Sequence, residues 1–306
     1  MLWIIIFAAL LTAAAAMSYY TYRKVFLAKR KKQEDCVNVT RYSQAENDRI
    51  RELIQEFRNI RGEDVYIRSF DGLMLHGVYY HVADGAPLDI QFHGYNGNAV
   101  RDFCGGNKVS RDAGRNSLVI EHRAHGLSQG KTITFGIKER RDCLSWVEYA
   151  IGRFGKDVRI TLAGVSMGAA TVLMAISLGL PENVKAIIAD CGYSSPKAII
   201  RKVARDQGFV PWLVYPFIWL GGRIFGGFNL TEASAVSSVA ESKIPVLIIH
   251  GEADNFVPCY MAREIYDACR SEKELLTVPG AGHGLSYLID SQLYEETVND
   301  FLRRFL

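Results

Sequence analysis

Residues Val158 to Gly168 read VRITLAGVSMG, an apolar run that ends in Gly164-Val165-Ser166-Met167-Gly168 and passes at once into the small-residue stretch Met167 to Leu178. A strand that must turn into a helix around one serine constrains the fold more than any other feature of the chain. Such a turn holds its central residue in a backbone conformation that L side chains avoid, and it leaves no room for a Cβ on either flanking glycine. The stretch therefore predicts a nucleophile elbow, with the Ser166 hydroxyl standing exposed at the carboxyl edge of a sheet.

The surrounding pattern supplies that sheet. Apolar runs at Asp64 to Ser69 and Leu73 to His81, joined through Asp71-Gly72, predict a hairpin. Further strands at Asp89 to Phe92, Ser117 to Ile120, Val158 to Ala163 and Val184 to Ala189 alternate with helical stretches, and Ile244 to Ile249 and Glu274 to Val278 complete the set. Alternation of this kind marks parallel βαβ units. The fold class is thus α/β: a mostly parallel eight-stranded sheet with helices on both faces. The helices at Ile137 to Phe154 and Met167 to Leu178 are expected on opposite faces, and Ala45 to Ile60, with Ile50, Leu53, Ile54 and Phe57 on one side, across the entrance to the domain. Between Asp190 and Ser242, after the sixth strand, lies an insertion rich in aromatics and proline, which reads as a short helical cap over residues 191–242. Its Trp212, Phe217 and Trp219 are candidates for the wall of an apolar substrate pocket, the plainer alternative being a helix buried in the domain.

Two loops beyond the last strands hold the groups that a serine nucleophile requires. His250-Gly251-Glu252-Ala253-Asp254 follows one strand and Pro279-Gly280-Ala281-Gly282-His283-Gly284 the next. Acyl transfer needs a nucleophile, a base, a group that orients the base and donors for the oxyanion. Ser166, His283 and Asp254 fill the first three roles, with Asp190 as a spare acid. The backbone N–H groups of Met167 and of Tyr95, in the loop His93-Gly94-Tyr95-Asn96-Gly97-Asn98, fill the fourth. His122 and His125 are three apart beside Glu121 in a loop, without helical metal-ligand spacing, so neither a metal nor another cofactor is expected, and His125 is read as structural.

The chain resembles the α/β-hydrolase superfamily. The resemblance runs from about Val65 to the C-terminus, on His93-Gly94, the loop Glu121 to Ser128, Thr134-Phe135-Gly136 with Glu139, Arg140 and Asp142, the elbow, the Asp254 loop with Phe256-Val257-Pro258, and His283. More narrowly it is similar to membrane-anchored bacterial hydrolases of the serine aminopeptidase-like and prolyl-oligopeptidase-like group, and to animal depalmitoylases with this fold. Glu121-His122 departs from the pattern, since that loop usually opens with Asp. The resemblance implies a serine hydrolase. Carboxylic esters or thioesters with an apolar acyl part are the leading substrates. Two alternatives stay open: an amidase or peptidase using the same triad, and an inactive membrane-tethered interaction module.

The N-terminus bears on location. Met1 to Met17 is apolar except for Thr12, and Ser18 to Tyr22 adds interfacial aromatics before a basic run. Residues 1–22 therefore fit a membrane-spanning anchor, 23–44 a basic juxtamembrane linker and 45–306 the hydrolase domain. A cleaved signal peptide is the alternative, although no positive charge precedes the apolar stretch. Basic residues on the C-terminal side alone predict a cytoplasmic domain. Arg23, Lys24, Lys29, Arg30, Lys31 and Lys32 also dominate the net charge of +3: without these six of 36, 30 basic residues face 33 acidic ones. No nucleic-acid surface is expected on such a domain. Six scattered cysteines without a C-x-x-C pair predict reduced thiols, mostly buried.

Overall fold

The computed structural model describes residues 1–28 and 42–306. Lys29, Arg30, Lys31, Lys32 and Cys36 lie outside the described residues, with most of the expected linker. Eight strands form one sheet: β1 (Glu63–Arg68), β2 (Met74–Tyr80), β3 (Leu88–Phe92), β4 (Asn116–Ile120), β5 (Ile160–Val165), β6 (Val184–Asp190), β7 (Val246–Gly251) and β8 (Lys273–Val278). Their order is β1-β2-β4-β3-β5-β6-β7-β8. β2 runs antiparallel to both β1 and β4, and every later pairing is parallel. Residues of β3, β4 and β7 are buried throughout, as strands covered on both faces must be.

One expectation about the helices is overturned. α4 (Glu139–Phe154) and α5 (Met167–Ala175) share a face: Trp146, Val147 and Ala150 pack in the same cluster as Ala169, Val172 and Leu173. The cause is the handedness of parallel crossovers, which lets the direction of travel along the sheet choose the face. The steps β4 to β5 and β5 to β6 both move the same way, so their helices fall on one side, joined by α8 (Ala235–Val239) and α9 (Tyr260–Ala268). The step β3 to β4 moves backwards and puts α3 (Ala99–Asp112) on the other side, with α2 (Gln44–Arg58) and α11 (Ser291–Leu302). α2 begins with a capping box in which Ser43 and Glu46 satisfy one another's backbone N–H groups.

The N-terminal helix α1 (Leu2–Val25) is long and apolar enough to cross a membrane. It outruns the expected boundary at residue 22. Tyr22 and Phe26 are buried in a cluster with Phe135, Ile218 and Phe228, and the Phe26 ring meets Phe135 and Phe228 edge-on at 5.9 and 5.1 Å. Leu27 then bridges to Thr132, and the Ala28 N–H donates to the Lys131 carbonyl at 2.9 Å. The end of α1 is thus packed on the domain, because the Tyr22 and Phe26 rings find a dry socket there.

That socket is built by the insertion, which forms α6 (Pro196–Asp206) and α7 (Pro211–Phe225) before α8. α1 crosses α7 at Gly221, where the lack of a side chain lets the Ser18 carbonyl approach, and the Thr21 hydroxyl donates to the Phe217 carbonyl at 3.1 Å. A Cβ at Gly221 would collide with that Ser18 oxygen. Gly221→Ala is expected to destabilise the domain by about 1–3 kcal/mol, as overpacking does. A thermal midpoint unchanged from wild type, measured in detergent micelles, would show that α1 does not dock there.

Candidate active site

Ser166 adopts φ 56° and ψ −111°, the strained turn expected of the elbow, between the end of β5 and the first residue of α5. The glycines are required by contact. A Cβ on Gly164 would run into the backbone of Gly168, and one on Gly168 into the Phe92 carbonyl at the end of β3.

The structure brings Ser166, His283 and Asp254 together, and all three are buried. The Ser166 hydroxyl lies 2.9 Å from His283 Nε2, and His283 Nδ1 lies 2.6 Å from Asp254 Oδ2. With the Nδ1 proton directed at the carboxylate, Nε2 is left to accept from Ser166. Asp254 is held on every side: its Oδ1 accepts from the Phe256 and Val257 N–H groups at 2.9 and 2.8 Å, and His250 Nε2 approaches Oδ2 at 3.3 Å. Burial alone would raise the Asp254 pKa, but the hydrogen bonds from His250, His283 and Val257 outweigh it and hold the carboxyl well below its ordinary value. The Asp254 carboxyl thus stays ionised at neutral pH. Tyr42 donates to the His283 carbonyl at 2.7 Å, and the Phe256 ring stands edge-on to the imidazole at 5.0 Å.

Tyr95 and Met167 flank the serine, and neither backbone N–H is engaged by another group among the described residues. A Cβ on Gly94 would stand 3.4 Å from that of Ser166 and 3.3 Å from Asp102 Oδ2, so the loop packs closely against the nucleophile. The loop is fastened from behind, in part by Asp102 and Arg101, which the sequence did not single out. Asp102, in the first turn of α3, accepts from the Gly94 N–H at 2.8 Å and is itself held by Arg101. His93 Nδ1 donates to the Gly94 carbonyl at 2.8 Å while its Nε2 accepts from the His122 N–H at 3.1 Å. Burial keeps His93 neutral by driving its pKa far down, which suits that pairing. The Tyr95 hydroxyl donates to the Val25 carbonyl at 2.9 Å, tying the loop to the end of α1. An acid one turn into a helix after a glycine-rich loop, and a histidine four residues before Asp254, were the available signals for Asp102 and His250.

Other candidates fall outside the triad. His125 is buried with Nδ1 on the Arg123 carbonyl at 3.0 Å, and His122 is buried beside it, their rings 6.3 Å apart. Asp190 does not reach His283. It lies in the cleft wall, with the Ser286 hydroxyl 3.5 Å away and Tyr294 as a second partner.

The cleft beside Ser166 measures about 360 Å³ and is walled by Ile50 and Leu53 of α2, Phe103 of α3, Leu285, Leu288 and Phe256. Trp212, Phe217 and Trp219 are not among its lining residues. Trp212 is exposed, the Phe217 carbonyl serves Thr21, and the Trp219 indole N–H donates to Asn229 at 2.9 Å. Within the insertion, α7 packs on α1 through Ile218, Gly221 and Gly222, and Trp212 turns to the surface.

Residues 132–306 match the prolyl oligopeptidase family. The chain belongs to that family. Its match to the uncharacterized protein YqkD of Bacillus subtilis is 26% identical over 297 residues, 96% of this chain and 94% of that one. Among solved structures, the Pyrococcus furiosus esterase Pf2001 superposes with a TM-score of 0.66 at 21% identity, over 91% of this chain and 98% of that one. Est1E of Butyrivibrio proteoclasticus, solved with ferulic acid bound, does so at 0.62 and 24%, over 79% and 98%. These likenesses show the α/β-hydrolase fold, and family and fold together make the protein a hydrolase.

Asp190 gives the site a measurable signature. Burial pushes its pKa up to about 7. Below about pH 4 the carboxyl is protonated folded or unfolded and contributes nothing to stability; between about 4 and 7 only the unfolded chain ionises, so each pH unit costs the folded state about 1.4 kcal/mol. Above 7 the cost is constant. Asp190→Asn is therefore expected to gain stability on the wild type as pH rises from 4 to 7 and to hold that gain above. A difference in urea midpoint that stays flat over this range would contradict a buried, neutral Asp190.

Proposed function

We propose that the protein is a serine hydrolase that cleaves carboxylic esters or thioesters, with Ser166 as nucleophile, His283 as base and Asp254 as the acid that orients it. The carrying observation is the buried relay of two hydrogen bonds, 2.9 and 2.6 Å, from the elbow serine to a carboxylate held ionised by its own donors. Ser166 Oγ attacks the acyl carbon while its proton passes to His283 Nε2, and the Met167 and Tyr95 N–H groups receive the oxyanion. Collapse expels the alcohol or thiol, which takes the proton from His283. Water, deprotonated by the same imidazole, then releases the acid from the acyl-enzyme. The esterases of like fold support this chemistry.

Ser166→Ala is expected to abolish labelling by a fluorophosphonate, while His283→Ala and Asp254→Asn each lower turnover by several orders of magnitude and do not add, since such residues act as a unit. Labelling that survives in Ser166→Ala would end this assignment.

The cleft wall is mixed, and its apolar side, with Ile50, Leu53, Phe103, Leu285 and Leu288, is what supports an apolar acyl group. Each methylene buried there contributes about 0.8 kcal/mol, so kcat/KM is expected to climb as the acyl chain grows from two carbons and to level off when the cleft is full. Ile50→Phe should bring that plateau to a shorter chain with little effect on the acetyl ester, and Trp212→Ser should leave the profile alone. The opposite result would return the pocket to the insertion.

The family favours a second reading, an amidase or peptidase. The cleft offers little to a substrate ammonium: Asp102 is committed to Arg101 and Gly94, and Asp190 is largely protonated below pH 7. Turnover of aminoacyl amides above that of matched esters would establish the peptidase. Location is part of the same proposal: α1 spans a bilayer once, and Arg23 and Lys24 at its end, continued by the basic residues 29–32, keep the domain on the cytoplasmic side.

A further inference from the structure

α7 is apolar on both sides. One face, with Ile218, Gly221 and Gly222, is buried against the domain and α1. The other presents Trp212, Leu213 and Ile224 at 71, 53 and 57% exposure, with Phe209 and Val210 exposed just before the helix and Phe225 at its end. Within the helix the outward positions 212, 216 and 224 recur at helical spacing and form one stripe, with the exposed Arg223 beside them. From Gln207 to Thr231 the only charged residue is Arg223. The preceding helix adds Lys197, Arg201 and Arg205, and its one acid, Asp206, is paired with Lys202.

The position of this stripe points to its occupant. The Tyr19 and Tyr22 rings of α1 lie 5.1 and 6.0 Å from Phe225, and Arg23 and Lys24 reach back over Tyr19 and Tyr20. Aromatics followed by basic side chains at the end of an apolar helix mark the level of the lipid headgroups. Phe225 sits at that level. α7 packs alongside α1, with Gly221 on Ser18 and the Phe217 carbonyl on Thr21, so its outward apolar residues are carried to the same membrane boundary as the end of α1, beside the basic residues of the preceding helix.

We propose that α7 is a second membrane-contacting helix: its outward face rests against the surface of the bilayer that holds α1, so that the domain is seated on the membrane by two elements and not hung from one. This rests on α1 spanning a bilayer, and two tryptophans separate the two claims. Trp3 lies in the exposed part of α1 and Trp212 on α7, whereas Trp146 is buried in the core and Trp219 partly buried against Asn229. The full chain is reconstituted in vesicles of phosphatidylcholine and phosphatidylglycerol, with and without 6,7-dibromo phosphatidylcholine as the quencher. The Trp3→Phe protein is expected to remain quenched, and the further change Trp212→Phe to remove most of that quenching. Trp212→Phe alone keeps Trp3 as the reporter of the anchor. Trp3 quenched and Trp212 unquenched would overturn the proposal and leave the anchor standing; neither quenched would remove the anchor and the proposal with it. An unquenched Trp212 that also cross-links between copies would assign the stripe to a second chain and overturn the membrane assignment.

Discussion

Much of this molecule depends on the approach of α5 to the end of β3, where the Gly168 backbone lies so close to the Phe92 carbonyl that no side chain fits. That contact fixes where α5 can begin, and with it the left-handed turn at Ser166. The same end of β3 launches the His93 to Asn98 loop, so the serine and its expected oxyanion donors are positioned by one piece of backbone packing. Strain at Ser166 persists because the helix after it is buried throughout and the strand before it largely so.

Around the relay, the electrostatics divide two buried aspartates by their partners. Asp254 receives hydrogen bonds from two backbone N–H groups and stands between two histidines, and it is ionised; Asp190, equally hidden, has the Ser286 and Tyr294 hydroxyls as hydrogen-bond partners and feels the Asp254 charge as well as His250, and burial pushes its pKa up to about 7. Position in the chain would not separate them, since each follows a parallel strand. What does is the count of donors that burial leaves each carboxylate, because an uncompensated charge is expelled from a dry site by taking up a proton.

The N-terminal helix is more than a tether. Its last turn is part of the domain: Phe26 is sealed among Phe135 and Phe228, and the Val25 carbonyl accepts from Tyr95, whose own backbone faces the nucleophile. Phe135, itself at a left-handed φ of 55°, stacks on the Tyr95 ring at 5.1 Å. The end of α1, the loop that bears the expected oxyanion donor and the insertion thus share one cluster.

The eight strands, the elbow, and the Ser166, Asp254 and His283 loops were all legible in the sequence, because each depends on local patterns: apolar runs bounded by turns, and glycines where a Cβ has no place. The order of strands was not legible, and so neither was the face that each helix covers; α4 and α5 share a side because their crossovers move the same way along a sheet whose order no local signal encodes. The wall of the cleft was misread for the same reason. Trp212, Phe217 and Trp219 have the composition of a pocket lining, but composition does not say which apolar partner wins, and α1 took up part of the surface expected to cover Ser166. Asp102, Tyr42 and His250 are ordinary residues in isolation, and they acquire their work only where the tertiary structure brings a buried N–H, a carbonyl or a carboxylate within hydrogen-bonding distance.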